Sequence, residues 1–349
     1  MKGKASAIFI CLCLFQLPVL AQTINDTATL PKDSFHIKYY DNYLNLTVGW
    51  NTRNTQYIIS YPQYHTRFIL SPKETDQFFV SLDYSFLYAY YSFTPQIFNL
   101  NNADTIKGNS RRSTFGTGFS FGRWYINFDY QNIKGYYLRN TNEFIADWKK
   151  GDAYIQFPDL RTIQTGLQVG YNFDKKFSVS SLTSGKEKQV KTAFTFFPIL
   201  AYWSVKIKDE TVDSMQTSTN DYTLNNDVNL LLPASVNIVF AKDFYAAAFA
   251  GPIVGVDFFK ANGYDENGRA LITSGTKIST GYYLRGSIGY TGNRFFAGMD
   301  AFARNYGHQQ QDERFSKYSY GVQVYAGTRF NPPGFLQRTV TWLQKMNPF

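Results

Sequence analysis

Cysteine, histidine and long apolar runs are scarce in this chain, and each scarcity removes a class of explanation. The only cysteines are Cys11 and Cys13, both inside an apolar stretch near the N-terminus. The remainder has no disulfide framework, so an exported chain of this kind must be stabilised another way. The three histidines, His36, His65 and His308, stand at spacings that match no metal-ligand pattern. Beyond residue 21 no run approaches the ~18 consecutive apolar residues that a membrane helix requires. The sequence therefore predicts no metal, cofactor-binding or catalytic residues and no helical membrane span.

What is present begins with a targeting signal. Lys2 and Lys4 precede an apolar core over residues 5–20, broken by Ser6, Gln16 and Pro18, and Val19-Leu20-Ala21 supplies a cleavage box. This predicts a secretory signal peptide over residues 1–21, removed together with both cysteines. Without Lys2 and Lys4 the excess of basic over acidic residues falls from nine to seven. That charge is spread over many connections rather than gathered in a patch. It fits an envelope surface, with membrane lipids and lipopolysaccharide as partners, and does not fit nucleic acid.

Aromatic residues make up 18% of the chain, with 27 Tyr and 32 Phe, and they sit on alternating stripes. Leu44, Leu46, Val48 and Trp50 oppose Asn45, Thr47, Gly49 and Asn51. Trp124, Ile126, Phe128 and Tyr130 oppose Tyr125, Asn127, Asp129 and Gln131, and similar stripes recur to Phe330. Between residues 78 and 90 the even positions form one unbroken greasy face. Successive side chains of a strand point to opposite faces, so each segment has an apolar and a polar side. A soluble sandwich shares that pattern, but runs of ~10–14 residues are long for soluble strands and sufficient to cross a bilayer. Aromatics near strand ends and small polar residues on the opposite faces match a membrane barrel with a polar lumen.

Counting strands exposes a parity problem. Thirteen segments begin near Tyr43, Thr55, Asp76, Arg112, Trp124, Thr162, Lys176, Val190, Val228, Phe244, Lys277, Arg294 and Lys317. Short turns at Gly122-Arg123, Asp174-Lys175-Lys176, Lys242-Asp243 and Thr291-Gly292-Asn293 should share one side, which requires an even number of strands between them. Three segments lie between the second and third turns. One segment within 176–207 is therefore surplus, and Pro198 marks that zone as irregular. Removing it predicts an all-β fold: a transmembrane antiparallel up-and-down barrel of twelve strands, within a range of ten to fourteen. The barrel would span 43–330, with residues 22–42 and the tail 331–349 both periplasmic. After Pro332-Pro333-Gly334 the apolar residues recur near helical spacing, so the tail is a candidate amphipathic helix.

An ordered set of short stretches resembles a known family. These are Phe68-Ile69-Leu70-Ser71-Pro72, Phe121-Gly122-Arg123-Trp124-Tyr125, Lys134-Gly135-Tyr136-Tyr137-Leu138, Pro158-Asp159-Leu160-Arg161, Lys176-Phe177-Ser178, Gln189-Val190-Lys191-Thr192-Ala193 and Ser287-Ile288-Gly289-Tyr290. Their order and spacing are similar to the domain-of-unknown-function 4421 family of Gram-negative envelope proteins. The resemblance implies an outer-membrane barrel and brings no catalytic residues. Thr192 stands where the resemblance would place a serine, which weakens a nucleophile there.

Two candidate residue sets follow. Asp83, Asp129, Asp257 and Asp300 share polar strand faces with Arg285, Arg294, Arg304 and Arg329. Charges facing lipid cost ~2–4 kcal/mol at the midplane, so these residues predict a lumen-facing network that plugs the barrel or lines a pocket. In the last strand, Tyr320, Val322, Val324 and Phe330 form the pattern read by the barrel-assembly machinery, with Phe349 as a competing terminal Phe. The function these features predict is a non-enzymatic outer-membrane protein, structural or concerned with small or lipidic molecules. The alternative is a lipid-modifying hydrolase or acyltransferase, pairing His65 with Ser60 or Ser71, or His308 with a nearby Asp. Gly116-Thr117-Gly118 with Gly122 resembles a phosphate loop only loosely, and Gly135–Arg139 matches Gly281–Arg285 without making a repeat.

Overall fold

Alternation of this length has one stable outcome in lipid, a sheet that closes on itself and leaves no unpaired edge. The computed structural model of the chain describes residues 35–349 apart from 95–103, 183–184, 211–221, 265–269, 310–313 and 347–349. The signal segment 1–21 and Phe349 lie outside the described residues. Strands β1 (Ile37–Tyr39), β2 (Leu44–Tyr61), β3 (Thr66–Ser71), β4 (Thr75–Tyr84) and β5 (Leu87–Phe93) open the chain. They are followed by β6 (Arg111–Phe121), β7 (Trp124–Leu138), β8 (Gln156–Tyr171), β9 (Glu187–Gln189), β10 (Ala193–Phe196) and β11 (Ile199–Asp209). The last six are β12 (Tyr222–Leu231), β13 (Ala234–Val239), β14 (Phe244–Tyr264), β15 (Ala270–Thr291), β16 (Phe295–Gln309) and β17 (Arg314–Phe330).

Twelve of these form an antiparallel ring in the order β2, β4, β5, β6, β7, β8, β11, β12, β14, β15, β16, β17. The ring closes where β17 pairs with β2 over its whole length, Arg314 against Ser60 through Phe330 against Leu44. Three strands are interrupted rather than ended. β3 continues into β4 across Pro72, β10 into β11 across Pro198, and β12 into β13 across Pro233. Proline has no N–H for the ladder. Its carbonyl still accepts: the amides of Tyr171, Phe197 and Leu232 donate to Pro198, Pro233 and Pro252 respectively. Pro198, Pro233 and Pro252 thus form a row across adjacent strands without opening the sheet.

Twelve strands come from a corrected path. The described residues of 176–183 are not a membrane strand but part of an insertion, residues 172–192, between β8 and β10. The segment near Thr55 is the upper half of β2, and the next strand starts at Thr66. The run 78–90 is two strands, because the chain turns at Ser85-Phe86 with Ser85 at φ 54°. Directly opposite residues of a hairpin share a face. Asp83 pairs with Tyr88 and Ser81 with Tyr90, so both tyrosines face inward although sequence parity puts them with outward Leu82. One end of the ring carries the tight turns, as at Gly122, whose φ of +59° requires glycine's freedom. The other carries the longer connections.

Burial runs opposite to that of a soluble domain. Val48, Leu82, Phe128, Leu200, Val254 and Met299 are exposed on the outside, while Asn45, Gln77, Asp83, Asn229, Asp257 and Lys317 are buried inside. After β17, Asn331-Pro332-Pro333 leads into a helix, Gly334–Met346.

Candidate functional site

The lumen is filled at both ends and hollow between. Toward the long-loop end the ring's own side chains meet across the interior. Tyr57, Ile133, Tyr136, Val205 and Phe315 form one buried cluster there. Below it Trp203 stacks on Tyr306 with centroids 5.3 Å apart, and the Arg304 guanidinium lies 4.2 Å over the Trp203 ring. Lys317 is buried, donates to Gln164 Oε1 and lies over the rings of Tyr57 and Tyr306. Arg112 donates to Thr55 Oγ1 at 2.8 Å.

At the short-turn end the insertion folds into the ring. Phe177, Val179 and Leu182 pack against Phe197, Tyr245, Ala247 and Phe249 of the inner wall. β9 pairs with β1, joining the insertion to the residues before the barrel. Polar contacts pin it on several sides. Asn237 Nδ2 of the ring wall donates to Ser181 Oγ at 2.9 Å, and within the insertion Asn172 Nδ2 donates to Phe177 O at 2.7 Å. Arg329 donates through Nε to the carbonyl of Gly185 at 2.9 Å and through Nη1 to Gly292 O at 2.6 Å. Its guanidinium also covers the Tyr40 ring at 3.8 Å. Glu187 accepts from Ser178 Oγ at 2.6 Å, and burial pushes its carboxyl above the usual carboxylate range.

Between these fillings lies a cavity of about 310 Å³. Asp83, Asp129, Asn127, Gln168 and Gln323 give it acceptors and donors, and Arg53 a cation. Phe79, Tyr88, Tyr90 and Tyr325 give it ring faces. Gln164 and Gln168 donate to the two oxygens of Asp129 at 3.3 and 3.2 Å, and Asn51 Nδ2 to Tyr90 OH at 3.1 Å. A second cavity, about 340 Å³, opens beside the insertion at the short-turn end. Phe86, Ser120, Tyr125 and Lys186 line both cavities, which makes these four the neck between them. Across the neck Lys186 Nζ donates to Ser120 Oγ at 2.5 Å.

The eight charges singled out from sequence do not form a single network. Half-buried Arg285 donates through Nε to buried Asp300 Oδ2 at 2.5 Å, and its Nη2 also reaches Leu182 O of the insertion at 3.4 Å. Asp83 accepts from Ser81 Oγ at 3.0 Å near the cavity floor, and Asp129 lines its side. Asp257 stands higher, with His308 Nδ1 2.8 Å from its Oδ2. Arg304 covers Trp203, Arg329 serves backbone carbonyls, and Arg294 lies 5.8 Å from the Phe295 ring at the short-turn rim. Sequence reasoning missed Lys186, Arg112, Lys317 and Asp227, the last buried on β12 directly opposite Asp257 of β14. The last two sit on polar strand faces and were legible by alternation, whereas nothing in the local sequence marks Lys186.

In the closing strand Val322 and Val324 are exposed, Tyr325 and Arg329 buried, and Phe330 ends the ladder opposite Leu44. Tyr320 is half-buried opposite Asn54. His65 occupies the β2–β3 turn at φ 48°, and the Ser71 hydroxyl donates to Pro72 O instead. His308 sits between the rings of Phe259 and Phe315, with Ser279 directly across the β15–β16 ladder. Ser279 is buried and donates to Asn229 Oδ1 at 3.3 Å, and neither cavity includes it or His308. Gly118 leaves room for the Tyr88 ring rather than for a phosphate. Gly135 makes a bulge in β7 at φ +90° whereas Gly281 lies in regular strand, so the two matching stretches differ in conformation.

A twelve-stranded antiparallel ring, apolar outside and polar within, is an outer-membrane β-barrel fold, here filled partly by its own chain. The chain belongs to the family described as a domain of unknown function (DUF4421), whose model matches residues 31–330. Solved structures similar to it include the outer membrane protease OmpT of Escherichia coli, at 8% identity and TM-score 0.35, covering 84% of this chain and 98% of that one. The P. putida toluene transporter TodX is similar at 7% identity and TM-score 0.28, covering 83% and 90%. The translocator domain of the autotransporter NalP from Neisseria meningitidis is similar at 9% identity and TM-score 0.26, covering 93% and 97%. A comparison with curated proteins gives no match.

Proposed function

We propose that this protein is a closed, non-enzymatic barrel of the Gram-negative outer membrane that takes a small polyhydroxylated molecule into its central cavity. The supporting observation is the cavity itself, about 310 Å³ between two fillings, which is the size range of small-ligand sites. Carboxylates and amides from Asp83, Asp129, Asn127 and Gln168 accept and donate to hydroxyls, while Tyr88 and Tyr90 offer ring faces to C–H surfaces. In this reading residues 1–21 are cleaved and the tight turns, the residues before the barrel and the tail 331–349 face the periplasm. The ligand then arrives through the neck at Lys186. The closing strand is read by the barrel-assembly machinery through Phe330, and lipids and lipopolysaccharide surround the belt.

A lipid-modifying enzyme has one observation in its favour, the contact of His308 with Asp257 opposite Ser279. All three are buried away from both cavities and from the lipid face, which leaves a substrate no approach. Saturation-transfer NMR on the detergent-solubilised protein with glucose as probe tests the binding reading. Transfer to glucose is expected and should vanish in Asp129→Leu. Absence of transfer, or transfer unchanged in Asp129→Leu, would sink it.

A further inference from the structure

The helix Gly334–Met346 has two apolar sides with different fates. Leu336, Val340 and Leu343 recur at helical spacing, and Val340 is buried, so this stripe faces the protein. Phe335 and Trp342, one heptad apart, are 66% and 59% exposed. At 100° per residue they fall between the packed stripe and the two cations of the helix, Arg338 and Lys345, both exposed. The helix carries no Asp or Glu. It leaves β17 at the short-turn end, where Phe240, Phe244, Tyr290 and Phe295 form an exposed aromatic band on the neighbouring hairpins.

A soluble surface has no reason to hold Phe and Trp in the open beside paired cations, whereas an interfacial helix needs this arrangement. We infer that this helix lies on the membrane surface at the short-turn rim, with Phe335 and Trp342 inserted at the acyl–headgroup boundary and Arg338 and Lys345 on anionic phospholipid headgroups. Two observations select lipid over a protein partner or a second copy. The helix leaves the barrel at the end that carries the exposed aromatic band, and its charge is uniformly positive. The inference rests on the membrane reading of the barrel, and its test must separate the two.

The full chain is reconstituted into vesicles of phosphatidylcholine with or without phosphatidylglycerol, the acyl chains brominated to quench tryptophan. The signal of Trp342 is the difference between wild type and Trp342→Phe. That of Trp124, exposed at the ring's short-turn end, comes from Trp124→Phe and reports the barrel. Both signals should be quenched, with quenching of Trp342 falling at least twofold without phosphatidylglycerol or in Arg338→Glu/Lys345→Glu. Quenched Trp124 with unquenched Trp342 would overturn the inference and leave the barrel in the membrane. Neither signal quenched would overturn both. Trp342 quenching indifferent to headgroup charge would overturn the assignment to anionic lipid.

Discussion

The two halves of the lumen are closed by different means. Toward the long loops the filling belongs to the wall: Tyr57, Tyr136, Trp203, Tyr306, Arg112 and Lys317 are ring residues that meet in the middle. Toward the tight turns the filling is a separate segment, residues 172–192, packed through Phe177, Val179 and Leu182 and held by hydrogen bonds. The first cannot clear without rearranging the strands that build the barrel. The second is held by side-chain packing and hydrogen bonds outside the ring's ladder, so moving it is expected to leave the ring intact. One closure fixed and the other removable would give the barrel a direction, with the neck at Lys186 on the removable side.

Substitutions in the two halves should behave differently. The largest effect is expected for Trp203→Ala, which empties a fully buried indole from the fixed half and strands the Arg304 cation. A loss of about 4 kcal/mol in unfolding free energy is expected, read from urea or heat unfolding in detergent. Arg285→Met leaves buried Asp300 without its partner, at a cost of about 3 kcal/mol. Arg329→Ala removes the donors to Gly185 and Gly292 and should loosen the insertion without unfolding the ring. Limited proteolysis within 172–192 should speed by about tenfold, while ring cleavage stays unchanged. An equal rise at both sites would erase the contrast between the halves.

A pH effect is expected in the removable half. Burial raises the Glu187 pKa, so the folded state holds that proton more tightly than the unfolded chain. Attachment of the insertion is therefore strongest below the ordinary glutamate value of about 4.3 and weakens as pH rises through the window up to the folded value. Protection of the insertion from proteolysis should fall across that window, and Glu187→Gln should flatten the profile. The smallest effect is expected at the long-loop end. There the exposed Arg67–Glu143 pair, at 2.6 Å, should contribute under about 1 kcal/mol to a double-mutant cycle.

Much of the ring was legible because lipid outside and polar packing inside force a strict period of two. Val322, Val324 and Leu82 are exposed for that reason. The count of twelve was legible through the parity of tight turns, although residues 176–182 look like a strand and fold inside instead. The turn at Ser85 was illegible because hydrophobic alternation runs straight through it, which reversed the faces of Tyr88 and Tyr90. The interior pairing was illegible for another reason. Alternation gives a residue's face but not its height or its partner across the lumen. Arg285 finds Asp300 on the adjacent strand, while Arg329 ends on carbonyls of a distant segment and a turn. Lys186 has neither face nor period to mark it, and only the fold brings it to Ser120.

Planar-bilayer conductance tests the one-sided closure most directly, comparing the full chain with a variant whose residues 174–190 are replaced by Gly-Gly. The wild type should pass no steady current. The shortened chain should show openings from the tight-turn side into the central cavity, raising the rate at which a small thiol reagent modifies an Asp129→Cys reporter from that side alone. The fixed half should keep current through the whole pore low. A steady channel in the wild type, or equal reagent access from both sides of the shortened chain, would contradict the account.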